Sequence, residues 1–221
     1  PFLVQYGRWL YSFSQGDMGD SYKTGKTVAS ELKKTIPATL LLTVTALATT
    51  ILIAFPIGVL CAKYRDGWLD NIVRLITYFL ASLPSFFLAL LLMYGLSMKW
   101  KLFPVIGSVS VRGIVMPTLV LALTLAAWYI RQIRGMVLSE LEKEYVEGLR
   151  SRGISSNRIL FCHVLKNCMI PILTLLGMSF GTLLGGSAIV ETIFSWPGVG
   201  KLAVTSISAR DYPVIQAYVV W

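Results

Sequence analysis

"TLLLTVTALATTILIAFPIGVLCA", residues 39–62, decides the class of this protein. The stretch contains no Asp, Glu, Lys, Arg or His over its whole length. A helix of about 20 apolar residues is long enough to cross the hydrocarbon core of a bilayer. The stretch therefore predicts a membrane-spanning helix rather than a buried helix of a soluble domain.

Three more stretches of the same kind follow along the chain. They cover residues 75–98, 113–130 and 167–190, and a fifth apolar run begins at 214–221. Charged residues make up only 14% of the 221 residues, well below the ~25% of an ordinary soluble domain. We predict an all-α, multi-span membrane protein with four full spans and part of a fifth.

None of the four complete stretches contains Asp, Glu, Lys, Arg or His. Carriers driven by proton or sodium gradients usually place such groups at membrane depth, where they are costly and functional. If the protein moves a solute uphill, we therefore expect the energy to enter from outside the lipid. The alternative is a channel or secondary carrier that works without an energy-supplying partner.

Half of the basic residues lie in two loops. The net charge is +9, and ten of the 20 Lys and Arg fall within the 48 positions of residues 63–74 and 131–166. This distribution predicts that both loops face the cytoplasm. Anionic lipid and this orientation bias account for the excess of basic residues, so we predict no nucleic-acid partner.

The cysteines do not indicate a metal site or a disulfide. Cys61, Cys162 and Cys168 fall at or near the predicted cytoplasmic face, where thiols stay reduced. Cys162, His163 and Cys168 lack the paired close ligands of a structural zinc site. We predict three free thiols and no bound metal.

A phosphate-binding loop is also excluded. Gly25, Lys26 and Thr27 resemble the end of such a loop, but Asp20 stands where the pattern requires Gly. No apolar strand precedes the segment, and the pattern is informative only between a strand and a helix. We predict a polar loop here and no nucleotide site in this chain.

Glycine and proline mark special positions in the spans. Gly177, Gly181 and Gly185 leave one helix face without side chains, which predicts close packing against a neighbouring helix of the same chain or of a partner subunit. Pro56 and Pro84 lie inside spans, where Pro usually kinks a helix. These two positions mark either bent structural helices or hinges.

The spans also contain hydroxyl groups. These side chains could line a path for a polar solute, or they could bond to neighbouring backbone, and the sequence leaves both readings open. No substrate-binding residue is assigned on this basis. The residues concerned are Thr43, Thr45, Ser82, Ser85, Thr124 and Ser179.

A polar elbow, residues 137–166, separates the third and fourth stretches. Apolar residues recur at helical spacing within "VLSELEKEYVEGLRSR", which predicts one helix over 137–152. Gly153 is expected to end it in the left-handed conformation, and Ser155 or Ser156 to start a second helix. The elbow is either a docking element for another protein or a plain connection between spans.

Within the elbow, "EGLRSRG" resembles the EAA-type loop of permease subunits of binding-protein-dependent ABC transporters. Glu147 and Gly153 occupy the positions of the motif's Glu and Gly, while Gly148 and Leu149 stand where two Ala are usual. Ile170–Pro171 is similar to the downstream Ile-Pro, at a spacing that occurs in the peptide and nickel branch.

Other segments are similar to the same branch. They are "QGDMGDSY", "TIPATLLLT" and residues 191–218. The resemblance implies one permease domain over 1–221 with the six-span fold of that family. It assigns 1–36 to an outer interfacial segment, whose aromatic residues suit a membrane surface, 137–166 to a cytoplasmic coupling loop and 191–213 to an outer loop. We expect one span before residue 1 and most of another after residue 221.

The resemblance also implies a function. The chain would be the permease subunit of an ATP-driven importer in a bacterial inner membrane, with peptides, nickel or a nickel chelate as substrate. Glu147, Gly148, Leu149 and Gly153 would belong to the loop that couples to the ATPase, in which Glu147 makes polar contacts and Gly153 permits the turn. The implied partners are a second, homologous permease subunit, two cytosolic ATPase subunits and an extracytoplasmic substrate-binding protein. ATP and Mg would bind to the ATPase, with no cofactor and no catalytic residue in this chain.

Overall fold

The structure, a computed structural model, describes residues 2–221, and these are almost entirely helical. Residues 2–14, the start of the outer interfacial segment, form a helix. The helices are α1 (Phe2–Ser14), α2 (Val28–Lys63), α3 (Trp68–Ser82), α4 (Ser85–Leu92), α5 (Val111–Leu141), α6 (Glu144–Ser151), α7 (Ser156–Ile159), α8 (Leu165–Gly186), α9 (Ala188–Ile193), α10 (Val199–Ala209) and α11 (Tyr212–Val220). Two π-helical segments, Met93–Lys99 and Leu160–Val164, continue α4 and join α7 to α8.

Three helices of the described chain are long and apolar enough to cross a membrane. They are Val28–Lys63, Val111–Leu141 and Ser156–Gly185. A fourth crossing results if the bent pair Trp68–Ser82 and Ser85–Lys99 counts as one span. Helices prevail because a backbone amide or carbonyl in hydrocarbon must find its partner inside the protein, and a helix satisfies almost all of them locally.

The prolines differ in their effect on the helices. At Pro84 the chain bends by 103° between α3 and α4, and Leu83 before it is extended (φ −83°, ψ 127°). The Pro ring disfavours the helical region for the residue before it, which is consistent with the break at this position. Pro117 and Pro171, by contrast, lie within the continuous helices α5 and α8.

The described chain divides into two compact units. The first comprises residues up to Leu42, Met93–Pro117 and Leu184–Trp221, and the second comprises Thr43–Leu92 and Thr118–Leu183. The core of the first unit brings α2, α10 and α11 together. Its buried members are Val28, Leu32, Val199, Val214 and Ala217.

The second unit is built around α5. Tyr129, Ile133 and Val137 are completely buried there and pack with residues of α2 and α8. Gly58 of α2 makes the closest approach, because a Cβ at this position would lie 2.9 Å from Cβ of Ile133 and 3.1 Å from the carbonyl oxygen of Ile130. A glycine is needed at Gly58 for the two helices to pack at this distance.

This close approach predicts the effect of a side chain at Gly58. Gly58→Leu should destabilise the protein by roughly 1–3 kcal/mol or more, because the added atoms overpack the contact with Ile133. Gly135→Leu is the matched control, since a Cβ at Gly135 meets nothing within 4 Å. Thermal unfolding of the purified protein in detergent should show a lower midpoint for Gly58→Leu alone. Equal midpoints for both variants would contradict this packing.

Candidate functional site

The elbow folds as a short helix set between two longer ones. The expected single helix over 137–152 is wrong, because α5 ends at Leu141 and α6 begins at Glu144. The break lies at Glu142 and Lys143, and Lys143 is extended with φ −75° and ψ 147°. Both residues are exposed, and the chain bends here, which the spacing of apolar residues does not reveal.

The turn after α6 forms at the predicted glycine. Gly153 has φ +77°, a left-handed conformation that glycine adopts at little cost. Its amide donates a hydrogen bond to the carbonyl of Arg150 (2.9 Å), and the amide of Ile154 donates to the carbonyl of Leu149 (3.2 Å). Ser155 precedes α7 as expected, but its side chain makes no capping hydrogen bond.

One face of α6 is anchored and the other is free. Val146 is completely buried and belongs to the core of the second unit, where Tyr145 and Leu149 pack beside it half-buried. Glu147 and Gly148 are exposed on the described surface, and a Cβ at Gly148 would meet nothing within 4 Å. The exposed face of α6 is therefore available to a partner, while its apolar face holds it to the protein.

A polar cluster joins α5, α6 and α8 beneath this helix. The Oε1 atom of Glu140 accepts hydrogen bonds from the Tyr145 hydroxyl (2.9 Å) and from Nδ2 of Asn167 (2.8 Å). Lys143 Nζ lies 2.6 Å from Oε2 of Glu140. Burial and then the hydrogen bond to Glu140 raise the pKa of Tyr145, so this hydroxyl stays protonated and remains a donor.

A second cluster of charges pairs α3 with α5. Asp70 is completely buried, and its two carboxylate oxygens accept from Nε and Nη2 of Arg134, each at 2.7 Å. Nη2 of Arg74 also donates to Asp70 at 3.1 Å, as does the backbone amide of Asp66 at 3.0 Å. The sequence gives no signal for this pairing, because Asp70 and Arg134 are 64 positions apart and lie just outside the apolar stretches.

The first unit contains a third cluster around Glu191, which is completely buried. Its carboxylate accepts from the hydroxyls of Thr39 (2.8 Å) and Ser187 (2.9 Å) and from the backbone amide of Lys201 (3.0 Å). A Cβ at Gly198 would collide with this carboxylate. Glu191 thus fixes the segment from α9 to α10 against α2.

Asp211 holds the loop after α1 in the same unit. Its carboxylate accepts from the Ser21 hydroxyl and from the backbone amides of Tyr22 (3.0 Å) and Lys23 (3.4 Å). Burial opposes the charged form, but these hydrogen bonds and one from the amide of Val214 outweigh it. Together they hold the pKa of Asp211 below its ordinary value.

The other predicted positions have the following surroundings. Gly177, Gly181 and Gly185 each have no atom within 4 Å of an added Cβ in the described chain, although the Tyr218 hydroxyl of α11 donates a hydrogen bond to the carbonyl of Gly185 (2.9 Å). Cys61 and Cys168 are buried free thiols, and Cys162 is an exposed one. Among residues 2–221 no three His, Cys, Asp or Glu side chains group as metal ligands.

Several hydroxyls in the predicted spans bond inside the protein. Thr124 and Ser82 donate to backbone carbonyls of their own helices, and Ser179 accepts from the Tyr129 hydroxyl at 2.9 Å. The hydroxyl of Thr43 is buried and has no hydrogen-bond partner in the described part of the chain. Ser82, Thr124 and Ser179 therefore each have a hydrogen-bond partner within the protein, and Ser82 is also exposed.

The Asp70 cluster predicts unequal effects of two carboxylate deletions. Asp70→Ala should cost about 3 kcal/mol, since it leaves Arg134 without its bidentate partner in a largely buried position. Glu142→Ala removes the Arg65–Glu142 pair, whose side chains are 54% and 66% exposed, and should cost between about 0 and 1 kcal/mol. Thermal unfolding in detergent measures both, and similar midpoints would contradict a structural role for Asp70.

Asp211 predicts a pH-dependent contribution to stability. Because its folded pKa is lowered, the stabilisation is complete above the unfolded value of about 3.9 and is lost as the pH falls through the folded pKa. The unfolding midpoint of the wild type should exceed that of Asp211→Asn at pH 7, and the difference should vanish in strong acid. Asp20→Asn, whose side chain is exposed, gives the baseline for removing one carboxylate. A difference that persists in strong acid would contradict the assignment.

Comparison with known proteins gives consistent results. Residues 54–221 match the family described as "Binding-protein-dependent transport system inner membrane component". The chain is 36% identical over 219 residues to the glutathione transport system permease protein GsiC of Salmonella paratyphi A. The aligned region covers 99% of this chain and 72% of the relative. It is 35% identical over 217 residues to GsiC of Escherichia coli K12, covering 98% of this chain and 71% of the relative.

Proposed function

Because the chain belongs to the family of binding-protein-dependent transport system inner membrane components, and is thus an ABC importer permease of the peptide and nickel branch, we propose that it forms part of the path for a peptide. The relatives are named for transport of glutathione, which is a peptide. Nickel or a nickel chelate is the other substrate class of this branch, and no observation on this chain favours it.

The coupling role of the elbow is the second part of the proposal. We assign α6 and the turn at Gly153 to the coupling loop, with Glu147 and Gly148 in contact with a cytosolic ATPase subunit and Leu149 holding the helix to the core. The observation that carries this assignment is that α6 is anchored by the fully buried Val146 and exposes Glu147 and Gly148. A short helix that is anchored on one face and exposed on the other can be displaced by a partner and can transmit that displacement to the spans before and after it.

The partners follow from this mode of action. A second permease subunit completes the path, two ATPase subunits supply the energy and a substrate-binding protein delivers the ligand. Gly177 and Gly181 of α8 have room for an approaching helix, which supports a contact with the second permease subunit. ATP and Mg bind on the ATPase subunits, and this chain carries out no catalytic step.

The turn at Gly153 provides a matched test. Gly153→Pro should abolish uptake, because Pro fixes φ near −65° where the structure has +77°, and also removes the amide that bonds to Arg150. Gly153→Asn should retain most uptake, since Asn tolerates the left-handed conformation. The measurement is ATP-dependent uptake by the complete transporter in proteoliposomes, with the amount of inserted permease determined in parallel.

Charge reversal on the exposed face tests the contact itself. Glu147→Lys should lose uptake and substrate-stimulated ATP hydrolysis while the chain still inserts, and Asp20→Lys, an exposed reversal elsewhere, should not. Wild-type uptake by Glu147→Lys and Gly153→Pro would refute the coupling role. Solute flux through the permease alone, without nucleotide or partner, would instead establish the channel or secondary carrier.

A further inference from the structure

The polar cluster beneath α6 joins three helices by directional hydrogen bonds, whereas apolar packing is not directional. We propose that Glu140, Tyr145 and Asn167, named here the Glu140 hub, are positioning residues that make α6 move together with α5 and α8. The inference rests on the proposed function, because it concerns how displacement of α6 reaches the membrane-spanning helices.

The hub is a closed ring of hydrogen bonds. The Tyr145 hydroxyl donates to Oε1 of Glu140 (2.9 Å), and Nδ2 of Asn167 donates both to this oxygen (2.8 Å) and to the Tyr145 hydroxyl (3.3 Å). Each of the three side chains therefore contacts the other two. A ring of this kind fixes the relative directions of its members, because hydrogen bonds weaken steeply when they are misaligned.

Each member of the hub comes from a different helix. Glu140 lies in the last turn of α5, Tyr145 in the first turn of α6 and Asn167 in the first turn of α8. The three helices meet at the carboxylate of Glu140, a residue that is only 8% exposed. Rotation of α6 must therefore either carry both long helices with it or break a set of hydrogen bonds to a nearly buried charge.

The covalent link and the apolar contact of α6 would not by themselves make α5 and α8 rotate together with α6. Glu142 and Lys143 form a two-residue connection with exposed side chains, and a connection of this length can bend. Val146 holds α6 through apolar burial, which is not directional. Burial keeps α6 attached but lets it turn or slide, so the hub supplies the missing directional restraint.

Lys143 completes the charge balance of the hub. Its Nζ lies 2.6 Å from Oε2 of Glu140, the oxygen that the ring leaves free, and its side chain is 57% exposed. Lys143 belongs to the two-residue connection before α6 and to none of the three helices, so this ion pair does not join one helix to another. We therefore assign the positioning role to the three members of the ring and not to Lys143.

The most conservative test is Tyr145→Phe, which removes the hydroxyl and keeps the ring in the core. In the complete transporter in proteoliposomes, we expect ATP hydrolysis to continue while substrate transported per ATP falls by roughly 2- to 30-fold, the range over which residues of a coupling network alter coupling. Tyr64→Phe is the matched control, because the Tyr64 side chain is 51% exposed and lies outside the hub.

Two more variants separate positioning from a general loss of structure. Glu140→Gln keeps an amide oxygen as acceptor and should retain more transport per ATP than Glu140→Ala. Tyr145→Phe combined with Asn167→Ala should be less than additive, because both open the same ring. The ATPase subunits should co-purify with every variant in wild-type amounts.

The outcomes are distinct. Wild-type transport per ATP in Tyr145→Phe would overturn the hub, and so would a loss of transport and ATP hydrolysis in equal proportion together with reduced recovery of the complex. If Glu147→Lys abolishes transport while Tyr145→Phe does not, the hub is refuted and the contact of α6 with the ATPase stands. If Glu147→Lys also transports normally, the proposed function itself fails.

Discussion

The fold depends on the absence of water around most of the chain. A backbone amide or carbonyl in hydrocarbon has no solvent partner, so it must bond within its own helix. This constraint produces the long helices Val28–Lys63, Val111–Leu141 and Ser156–Gly185. It also explains why charged groups gather beyond the apolar stretches, where each can pair with another side chain.

Three polar clusters fix how particular helices are oriented, which non-directional apolar contacts do not do. Asp70 and Arg134 pair α3 with α5, Glu140 joins α5 to α6 and α8, and Glu191 fixes the segment after α9. Each carboxylate is almost completely buried and has several donors. Buried charges of this kind tolerate few alternative arrangements, because an unpaired charge there is far more costly than an apolar mismatch.

The apolar stretches and turn residues of the sequence predict much of the helical fold and the turn of the elbow. The charge-free stretches such as 39–62 predict helices because their length and composition suit lipid, and Gly153 predicts a left-handed turn because few other residues adopt it. The motif at Glu147 indicates the family, which the comparisons confirm.

Other features depend on contacts between distant residues and were not predictable. Asp70 and Arg134, or Glu140 and Asn167, are joined only when the helices pack, and neither pair has a characteristic spacing. The break after Leu141 was missed for a related reason. The apolar residues keep their helical spacing across the break, while the direction of the chain changes at Glu142 and Lys143.

The thiols give the molecule a built-in attachment point. Cys162 is exposed, whereas Cys61 and Cys168 are buried, and Cys162 lies in the π-helical segment Leu160–Val164 between the elbow and α8. A maleimide dye or nitroxide added to the native protein would react first at this position, without mutagenesis. The signal of the label would then report rearrangement of the segment between the elbow and α8 during turnover.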